Sequence, residues 1–357
     1  MVTNGNIFSS RKEMFIKSQT IFAGRGITAT PYNDRWRKHR GLATAWLNTR
    51  AVNKYTDVLD KEATVLLHAL NRESNCGMVP INPQVHDSRL FLSRLTNEYF
   101  KPHAGRCSLN NMLTITFGMR TNSIEHPLVR QALQLSREFM NCTGPMSNLV
   151  DFIRPLQFIP TFMQRRGKRL HDTLIKTYGE IIDGMEQDLN AGRPVEDCLA
   201  KSMLQAPRTE YLGALDMRIL ASAFMIGGTA GIMQWFSALI PAYPDIQQKA
   251  QEELDRVIGR HRLPNIDDER NLPYCHAIIK EVERCRNPFW LGTPHFSTED
   301  FVYKGHFIPK NTAIVLNTWT MHHNPERYSD PDTFKVGLLS TLETHSLLAE
   351  QDFSLYL

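Results

Sequence analysis

The sequence predicts a mainly helical protein that carries a small β-sheet towards its carboxyl end. Its longest periodic segments place apolar residues three or four positions apart with charges between them, as amphipathic helices do, and they cover 52–70, 128–140, 170–189 and 246–258. Later in the chain come short runs of β-branched and aromatic residues separated by turn residues, at 301–303, 307–308 and 312–317. We therefore expect a large helical body with a small sheet beside it.

Composition and charge narrow the class of protein. The 357 residues are 42% apolar and 22% charged, which excludes a disordered or low-complexity chain. The 41 Lys and Arg exceed the 37 Asp and Glu by only four, too little for the basic field of a nucleic-acid-binding protein, so we expect no nucleic-acid partner. The six cysteines form no Cys-x-x-Cys pair, which favours reduced thiols over a zinc ribbon or a disulfide framework.

Two parts of the chain bear on membrane association. The opening residues contain no apolar stretch of signal-peptide length, so we expect no secretory leader and no amino-terminal anchor, and a cytoplasmic location. Residues 219–243 carry no charged side chain and are long enough to cross a bilayer. The alternative is a buried central helix, which Gln234 and the glycines in mid-run favour. Each of those glycines, Gly227 and Gly228, costs a helix about 1 kcal/mol relative to Ala, which indicates a ligand or backbone in close approach, or a helix-packing notch.

Two short patterns combine charge with helical spacing. Trp36 and Arg40 follow a turn and N-cap signal at 31–34 and lie one turn apart, so they suit a flat anionic ligand. The alternative, a solvent-exposed basic helix start, is favoured by these residues alone. Glu281 and Arg284 are three apart in a helix that begins near Pro273, and apolar neighbours predict that the pair is partly buried and needs further partners.

Several other catalytic and binding motifs are missing from the sequence. It contains no Gly-x-Ser-x-Gly elbow, no phosphate loop and no His-Glu-x-x-His pair. The basic cluster at 164–169 borders an amphipathic helix, and we interpret it as a solvated face. His322 and His323 lack a second ligand group at metal spacing, so we expect them on the surface beside a turn.

Taken in order along the chain, the weak patterns form a specific series. It comprises Trp36-x-x-x-Arg40, Gly227-Gly228-Thr229, Glu281-x-x-Arg284, Pro294-His295 and a segment from Tyr328 to Phe334. With this series the chain resembles a cytochrome P450, most closely the fungal secondary-metabolism members, from about residue 20 to residue 334. The resemblance implies a mainly α, P450-like helical body with a small β-sheet, here incomplete, and a haem cofactor.

The resemblance also implies roles for individual residues. Trp36, Arg40 and His295 would hold a haem propionate, and Gly227 and Gly228 would lie on the helix that crosses the haem face. Thr229 would be the catalytic residue that guides protons. The implied structural pair is Glu281 with Arg284, and the implied substrate-lining residues are Phe289, Trp290 and Leu291.

The implied partners follow from the same resemblance. A lipophilic secondary metabolite would be the substrate, NADPH–cytochrome P450 reductase would supply electrons, and the site of action would be the cytosol or the cytosolic face of the endoplasmic reticulum. The bulky apolar residues of the lining segment imply the lipophilic class of that substrate.

Three departures from the family pattern affect the expected activity. No acid stands beside Thr229, the usual Arg partner of Glu281 and Arg284 is not recognisable after Phe334, and the printed sequence has no Phe-x-x-Gly-x-Arg-x-Cys loop to provide an iron thiolate. We expect a partial core over 1–335, a divergent leucine-rich tail over 336–357, and a chain cut at both ends.

The sequence supports three hypotheses about function, of which the first two follow from these departures. The first is a haem-thiolate monooxygenase family member whose catalysis is impaired in this chain, because the cysteine ligand is missing. The second is a haem-free pseudoenzyme or defective gene product that acts, if at all, as a binding partner. The third, which rests on the uncharged run at 219–243 alone, is a membrane-embedded protein without enzymatic activity.

Overall fold

The computed structural model describes residues 5–8, 10–11, 13–28, 30–75, 100–144, 148–151, 153–206, 212–227, 231–287 and 290–336. Gly228, Thr229, Phe289 and the tail from 337 onward lie outside these ranges. The α-helices are α1 (Gly5–Phe8), α2 (Asp34–Leu47), α3 (Thr49–Val52), α4 (Thr56–Glu73), α5 (Phe100–Phe117), α6 (Pro127–Thr143), α7 (Phe162–Asn190), α8 (Leu199–Leu204), α9 (Ala214–Gly227), α10 (Gly231–Leu239), α11 (Pro244–Val257), α12 (Pro273–Cys285) and α13 (Thr318–His322).

Shorter helical turns join these helices. A π-helix covers Phe15–Ile21, and 3₁₀ turns cover Asn53–Tyr55, Leu149–Asp151, Arg154–Phe158, Ile240–Ala242 and Ile266–Asn271. The four amphipathic helices expected from periodicity are confirmed as α4, α6, α7 and α11. Each extends a few residues beyond at least one expected boundary, because capping residues rather than apolar periodicity determine where a helix ends.

The strands form two small antiparallel sheets. β1 (Ser10–Arg11), β2 (His295–Phe296) and β5 (Ala313–Ile314) lie in the order β1-β2-β5, with Arg11 opposite His295. β3 (Phe301–Tyr303) and β4 (His306–Ile308) form a separate hairpin. Its turn places Gly305 at φ +81°, a left-handed conformation that glycine adopts without steric cost. The expected small sheet is thus divided, and its 312–317 segment pairs with β2 rather than with the hairpin.

The main hydrophobic core lies where α5, α6, α7 and α9 pack together. Tyr178 of α7, Leu113 of α5 and Leu220 of α9 are fully buried there. Complete burial of one such apolar side chain stabilises the fold by about 1.5–3 kcal/mol. The helical face predicted from the spacing of apolar residues in α7 therefore faces the core.

A second, smaller core holds the carboxyl-terminal part of the described chain. Ile278 and Val282 of α12 pack with Leu239 at the end of α10, and Phe334 and Val336 close the cluster. The Tyr243 ring packs against Phe334 in a tilted arrangement, with 5.1 Å between the ring centroids. Val336 is only 2% exposed, so the packing of this core reaches the last residue of the described range 290–336.

The uncharged run at 219–243 forms α9, α10 and the following turn in its described parts. Residues Ala214–Ala242 are long and apolar enough to cross a membrane by length and composition, and a core helix meets the same criterion. The α9 half lies against α5, α6 and α7, with Ile219 and Met225 almost completely buried. This packing favours the buried-helix interpretation for α9.

Two expectations about surfaces have different outcomes. In the basic cluster, Arg165, Lys168 and Arg169 are exposed, as a solvated face requires. His322 is not a surface residue, because its ring is half-buried and its Nδ1 is a buried atom without a hydrogen-bond partner in the described structure. Arg284 of α12 also donates a hydrogen bond of 2.8 Å to the His322 carbonyl, a long-range contact that local sequence does not show.

Candidate functional site

The amino-terminal end of α2 positions Trp36 and Arg40. Asn33 caps the helix, since its side chain accepts a hydrogen bond of 2.8 Å from the Trp36 backbone N–H. The Trp36 indole Nε1 donates to the Ile27 carbonyl at 2.8 Å, and its ring lies 4.9 Å from Tyr32. Trp36 therefore supports the loop before α2 with its indole N–H, while Arg40 follows one turn later.

His295 of β2 is held at both ring nitrogens. Nδ1 donates to the Phe8 carbonyl at 2.7 Å, because a carbonyl can only accept. Nε2 is then the unprotonated nitrogen, and it accepts from Arg11 Nη1 at 2.7 Å. Burial, together with the Arg11 charge, lowers the pKa of His295 to about 4. His295 is thus a neutral acceptor at neutral pH.

Arg11 stands at the centre of a cationic cluster, defined here as Arg11, Lys17 and Arg40. Burial and the Arg40 charge lower the pKa of Arg11 to about 10, and burial and the Arg11 charge lower the pKa of Lys17 to about 8. Arg11 also donates to the Thr293 carbonyl at 2.9 Å. Within the described ranges, no ion pair joins Arg11 or Lys17 to a carboxylate. Like charges held together in this way form a site for an anion.

Glu281 and Arg284 form a buried, bidentate ion pair in α12. Arg284 Nε and Nη2 donate to the two Glu281 oxygens at 2.7 and 2.8 Å, and the residues are 7% and 2% exposed. Burial lowers the pKa of Arg284, but the Glu281 carboxylate outweighs it and the net pKa is raised. Arg284 thus keeps its positive charge although it is buried.

Backbone groups of the 322–335 segment make the remaining hydrogen bonds of the Glu281–Arg284 pair. Arg284 donates to the carbonyls of His322 and Pro331 at 2.8 Å and of Thr333 at 3.1 Å. Glu281 accepts the backbone N–H of Lys335 at 2.9 Å. A third arginine is therefore unnecessary for hydrogen bonding here, since carbonyl oxygens and one amide complete the pair.

The proposed substrate-lining segment borders an open cavity of about 510 Å³. Trp235, Trp290 and Trp319 line the cavity together with Arg286, whose guanidinium lies 5.2 Å from the centre of the Trp235 ring. The Trp290 side chain is 49% exposed, and its carbonyl accepts from the Thr318 hydroxyl at 2.8 Å. Leu291 is half-buried. Three indoles around one cavity form a surface suited to a flat or lipophilic molecule.

Of the glycine-rich helix segment, Gly227 lies within the described structure. A Cβ atom at Gly227 would meet no described atom within 4 Å. Gly227 is exposed, so both interpretations of the glycines, a ligand or backbone in close approach and a helix-packing notch, stay open. Gly228 and Thr229, with Phe289 of the lining segment, lie outside the described residues.

The described cysteines are all protonated thiols at neutral pH. Burial is the largest cause in each case, and it raises the pKa of Cys107 to about 11 and the pKa of Cys275 and Cys285 to about 12. Burial also raises the pKa of Cys142 and Cys198. Because the thiolate is the form that binds metal, none of these five described cysteines is prepared to ligate iron.

An ionic cluster that sequence inspection missed fixes α2 against α9. Asp216 of α9 lies 3.3 Å from Arg25, 3.5 Å from Arg35 and 3.3 Å from His39 Nε2. His39 is 1% exposed, and burial lowers its pKa despite the nearby carboxylate. The three basic residues and Asp216 are far apart in sequence, so no spacing pattern predicts the cluster. It holds the helix that carries Arg40.

Comparison with known proteins identifies the family of this chain. The family model for cytochrome P450 matches residues 1–337. The chain belongs to the cytochrome P450 family. Cytochrome P450 monooxygenase verL of Clonostachys rogersoniana is 29% identical over 94% of this chain and 59% of its own length. Cytochrome P450 monooxygenase fogE of Aspergillus ruber is 30% identical over 92% of this chain and 58% of its own length. The chain thus spans about three-fifths of the length of these curated P450 relatives.

The P450 family implies a haem, and the described residues fit one part of it. The cationic cluster suits the two carboxylates at the edge of a haem, because it offers positive charge without a carboxylate partner for Arg11 or Lys17 in the described structure. The described thiols do not fit the iron, since all five have a raised pKa. The carboxylate edge is therefore the part of a haem for which these residues offer contacts.

Proposed function

We propose that this chain provides the helical body and the carboxylate-binding wall of a haem-dependent monooxygenase that oxidises a lipophilic secondary metabolite. The observation that carries the proposal is the cationic cluster around His295 in a chain of the cytochrome P450 family. Clustered cations are costly without an anion, and a haem brings two carboxylates into an apolar fold. When bound, the haem supplies the oxygen chemistry, while the protein supplies binding and orientation.

In this proposal the chain's own residues bind, orient and exclude water. Arg40 and the rest of the cationic cluster neutralise the carboxylates, and Trp36 holds the loop that leads into α2. Gly227 and Gly228 are proposed as positions that face the haem, and a Cβ atom at Gly227 would meet no described atom within 4 Å. Thr229 holds a proton at its hydroxyl, although no acid stands beside it to pass that proton on.

The substrate side of the proposal rests on the cavity beside Trp290. Phe289, Trp290 and Leu291 would line the substrate, because the 510 Å³ cavity that includes Trp290 has two further indoles. Indole surfaces of this kind hold flat, lipophilic molecules. NADPH–cytochrome P450 reductase at the cytosolic face of the endoplasmic reticulum is the proposed electron source. The proposed boundary divides a partial core over 1–335 from a divergent tail over 336–357.

Haem content of the purified chain tests the proposal. After expression with a haem precursor, we expect the wild-type protein to retain haem, which is measured as its pyridine complex. We expect Arg40→Ala to lose most of the haem, because the variant lacks the arginine that would bind a haem carboxylate. Arg37→Ala is the matched control, since Arg37 lies on the same helix, is exposed and pairs with Asp34. Equal haem content in both variants would contradict the proposal.

A second candidate function is a haem-free binding partner, and the raised thiol pKa values favour it. A protein without an iron thiolate would keep its helical surface but lose the family's chemistry. The reduced, carbon monoxide-bound absorption spectrum distinguishes the two candidates. A thiolate-type Soret band would exclude the haem-free candidate, and a colourless, cooperatively folded protein would exclude the monooxygenase for this chain.

A further inference from the structure

We infer that the cavity between α4, α5 and the 122–125 loop is a separate binding site for a small molecule that carries one oxyanion group, a phosphate or a carboxylate. This site lies outside the proposed function, because none of its described lining residues belongs to the cationic cluster or to the cavity beside Trp290. Binding there requires neither a haem nor turnover.

The cavity has the size and the mixed walls of a small-molecule site. Its volume is about 700 Å³, and ligand pockets typically measure roughly 300–1,000 Å³. Val65 and Ala69 of α4 give it an apolar wall, and Arg72, His103 and Arg106 are among its polar lining residues. Walls of this kind can hold the apolar body of a ligand while a few charged groups fix its orientation.

Arg106 is the most deeply buried of the described lining residues. It is only 2% exposed. Its Nη1 donates to the Glu62 carboxylate at 3.1 Å and to the Thr121 carbonyl at 3.2 Å. Its Nη2 is also buried, and it has no hydrogen-bond partner among the residues that the structure describes. A buried donor without an acceptor costs free energy, which an acceptor on a ligand would recover.

The carboxylate beside Arg106 is shared with a second arginine. Glu62 is fully buried, and it also accepts from Arg120 Nε and Nη2 at 2.9 and 2.6 Å and from Asn110 at 3.0 Å. We call Glu62, Arg106 and Arg120 the Glu62 group. Two guanidinium groups and one carboxylate leave this group with one positive charge in excess. A ligand with one oxyanion group matches that excess, and burial strengthens the attraction.

The other charged residues of the described lining do not cancel this excess. Glu73 lies 3.4 Å from Arg72, and Glu125 pairs with Arg130, so each acid has a basic partner. His103 is 6% exposed, and burial lowers its pKa. Its ring is therefore neutral at neutral pH. The Glu62 group is thus the source of positive charge at the cavity.

Calorimetric titration of the full chain with phenyl phosphate and with benzoate tests the inference, and benzyl alcohol is the uncharged control. We expect at least one of the two anions to bind with a dissociation constant of about 1 mM or lower. The tighter anion identifies the oxyanion group that the site prefers. Benzyl alcohol should show no saturable binding, and added salt should weaken binding of the anion.

Three variants locate the bound anion. Ala69→Phe fills the cavity without changing any charge, and it should weaken binding by at least about 10-fold. Arg106→Gln removes the buried donor, and it should weaken binding by about 10- to 100-fold, as for a lost charge-assisted contact. Lys61→Gln is the matched control, because Lys61 is an exposed cation of α4 outside the described lining. Its dissociation constant should stay within about twofold of wild type.

Opposite results would overturn the inference. These are the absence of saturable binding of either anion up to about 10 mM, equal binding of benzyl alcohol, or an unchanged constant in Ala69→Phe. The last result would place the anion elsewhere, for example at the cationic cluster. If Arg106→Gln fails to fold by circular dichroism, Ala69→Phe and Lys61→Gln decide, since neither residue belongs to the Glu62 group.

Discussion

Arg284 and Arg11 are both buried arginines, yet they have opposite surroundings. Arg284 faces the Glu281 carboxylate and three backbone carbonyls, so its charge and its donors are satisfied within the fold. Arg11 faces one neutral imidazole, one carbonyl and two further cations. The comparison shows that burial alone does not define the role of an arginine. A satisfied arginine stabilises the fold, whereas a cation surrounded by cations is prepared for a ligand.

Breaking the buried Glu281–Arg284 pair should have the largest effect on stability. Glu281→Gln leaves the Arg284 charge buried without its counter-ion, and we expect a loss of about 3–5 kcal/mol in the free energy of unfolding. Urea denaturation followed by circular dichroism measures the change. A loss below about 1 kcal/mol would contradict a structural role for the pair.

The neutral His295 imidazole beside Arg11 should make the stability of the protein depend on pH. The pKa of His295 is about 4 in the folded protein against 6.5 in the unfolded chain, so the unfolded chain binds the extra proton between these values. Stability therefore falls as pH falls from 6.5 to 4, by about 2 kcal/mol for this half-buried group. Melting temperature against pH measures the effect, and His295→Gln should show a shallower decline. The same slope in both proteins would refute the assignment of a neutral His295.

Removing a cation from the cluster should stabilise the unliganded protein. Lys17→Met removes a charge whose burial near Arg11 lowers the pKa of Lys17 to about 8, and we expect a gain of about 1 kcal/mol at pH 7, where both states carry the proton. Between pH 8 and 10.5 only the unfolded wild type keeps that proton, so wild-type stability rises relative to the variant. Urea midpoints at pH 7 and pH 10 test both statements. A destabilised variant at pH 7 would show that Lys17 has an anionic partner.

Breaking an exposed ion pair should have the smallest effect on stability. It serves as the reference against which the effects of the buried groups are compared. Asp255, in the last turn of α11, and Arg260, just after the helix, are 2.8 Å apart on the surface. Such pairs add little to stability because water screens them. Asp255→Asn should leave the urea midpoint unchanged within experimental error. A shift as large as that of Glu281→Gln would show that burial does not explain the difference between the two ion pairs.

Local patterns in the sequence were sufficient to predict most of the helical body. The spacing of apolar residues predicted α7, Asn33 and its neighbours predicted the start of α2, and Pro273 predicted the start of α12. The Glu281–Arg284 contact was predictable for the same reason, because residues three apart on a helix are neighbours. Each of these features depends only on residues close together in the chain.

The partners of the charged residues could not be predicted in this way. Arg11 meets His295 across 284 positions of sequence, and the carbonyls that bind Arg284 come from a segment about 40 residues later. No periodic pattern relates positions so far apart in the sequence. Every residue has a backbone carbonyl, so the sequence does not indicate which carbonyls will bind Arg284. The role that the resemblance gave to His295 did not include Arg11, because the motifs that carried the resemblance began only after about residue 20, whereas the family model matches from residue 1.

The pairing of β1 with β2 also has a consequence for synthesis on the ribosome. Residues 10–11 leave the ribosome long before residues 295–296 are made, and at about 5–20 residues per second the delay is roughly 15–60 seconds. Throughout that interval, the first strand of the three-stranded sheet lacks its neighbour and presents unpaired backbone groups. Quality-control chaperones that recognise nascent chains would therefore meet this strand before the finished protein exists.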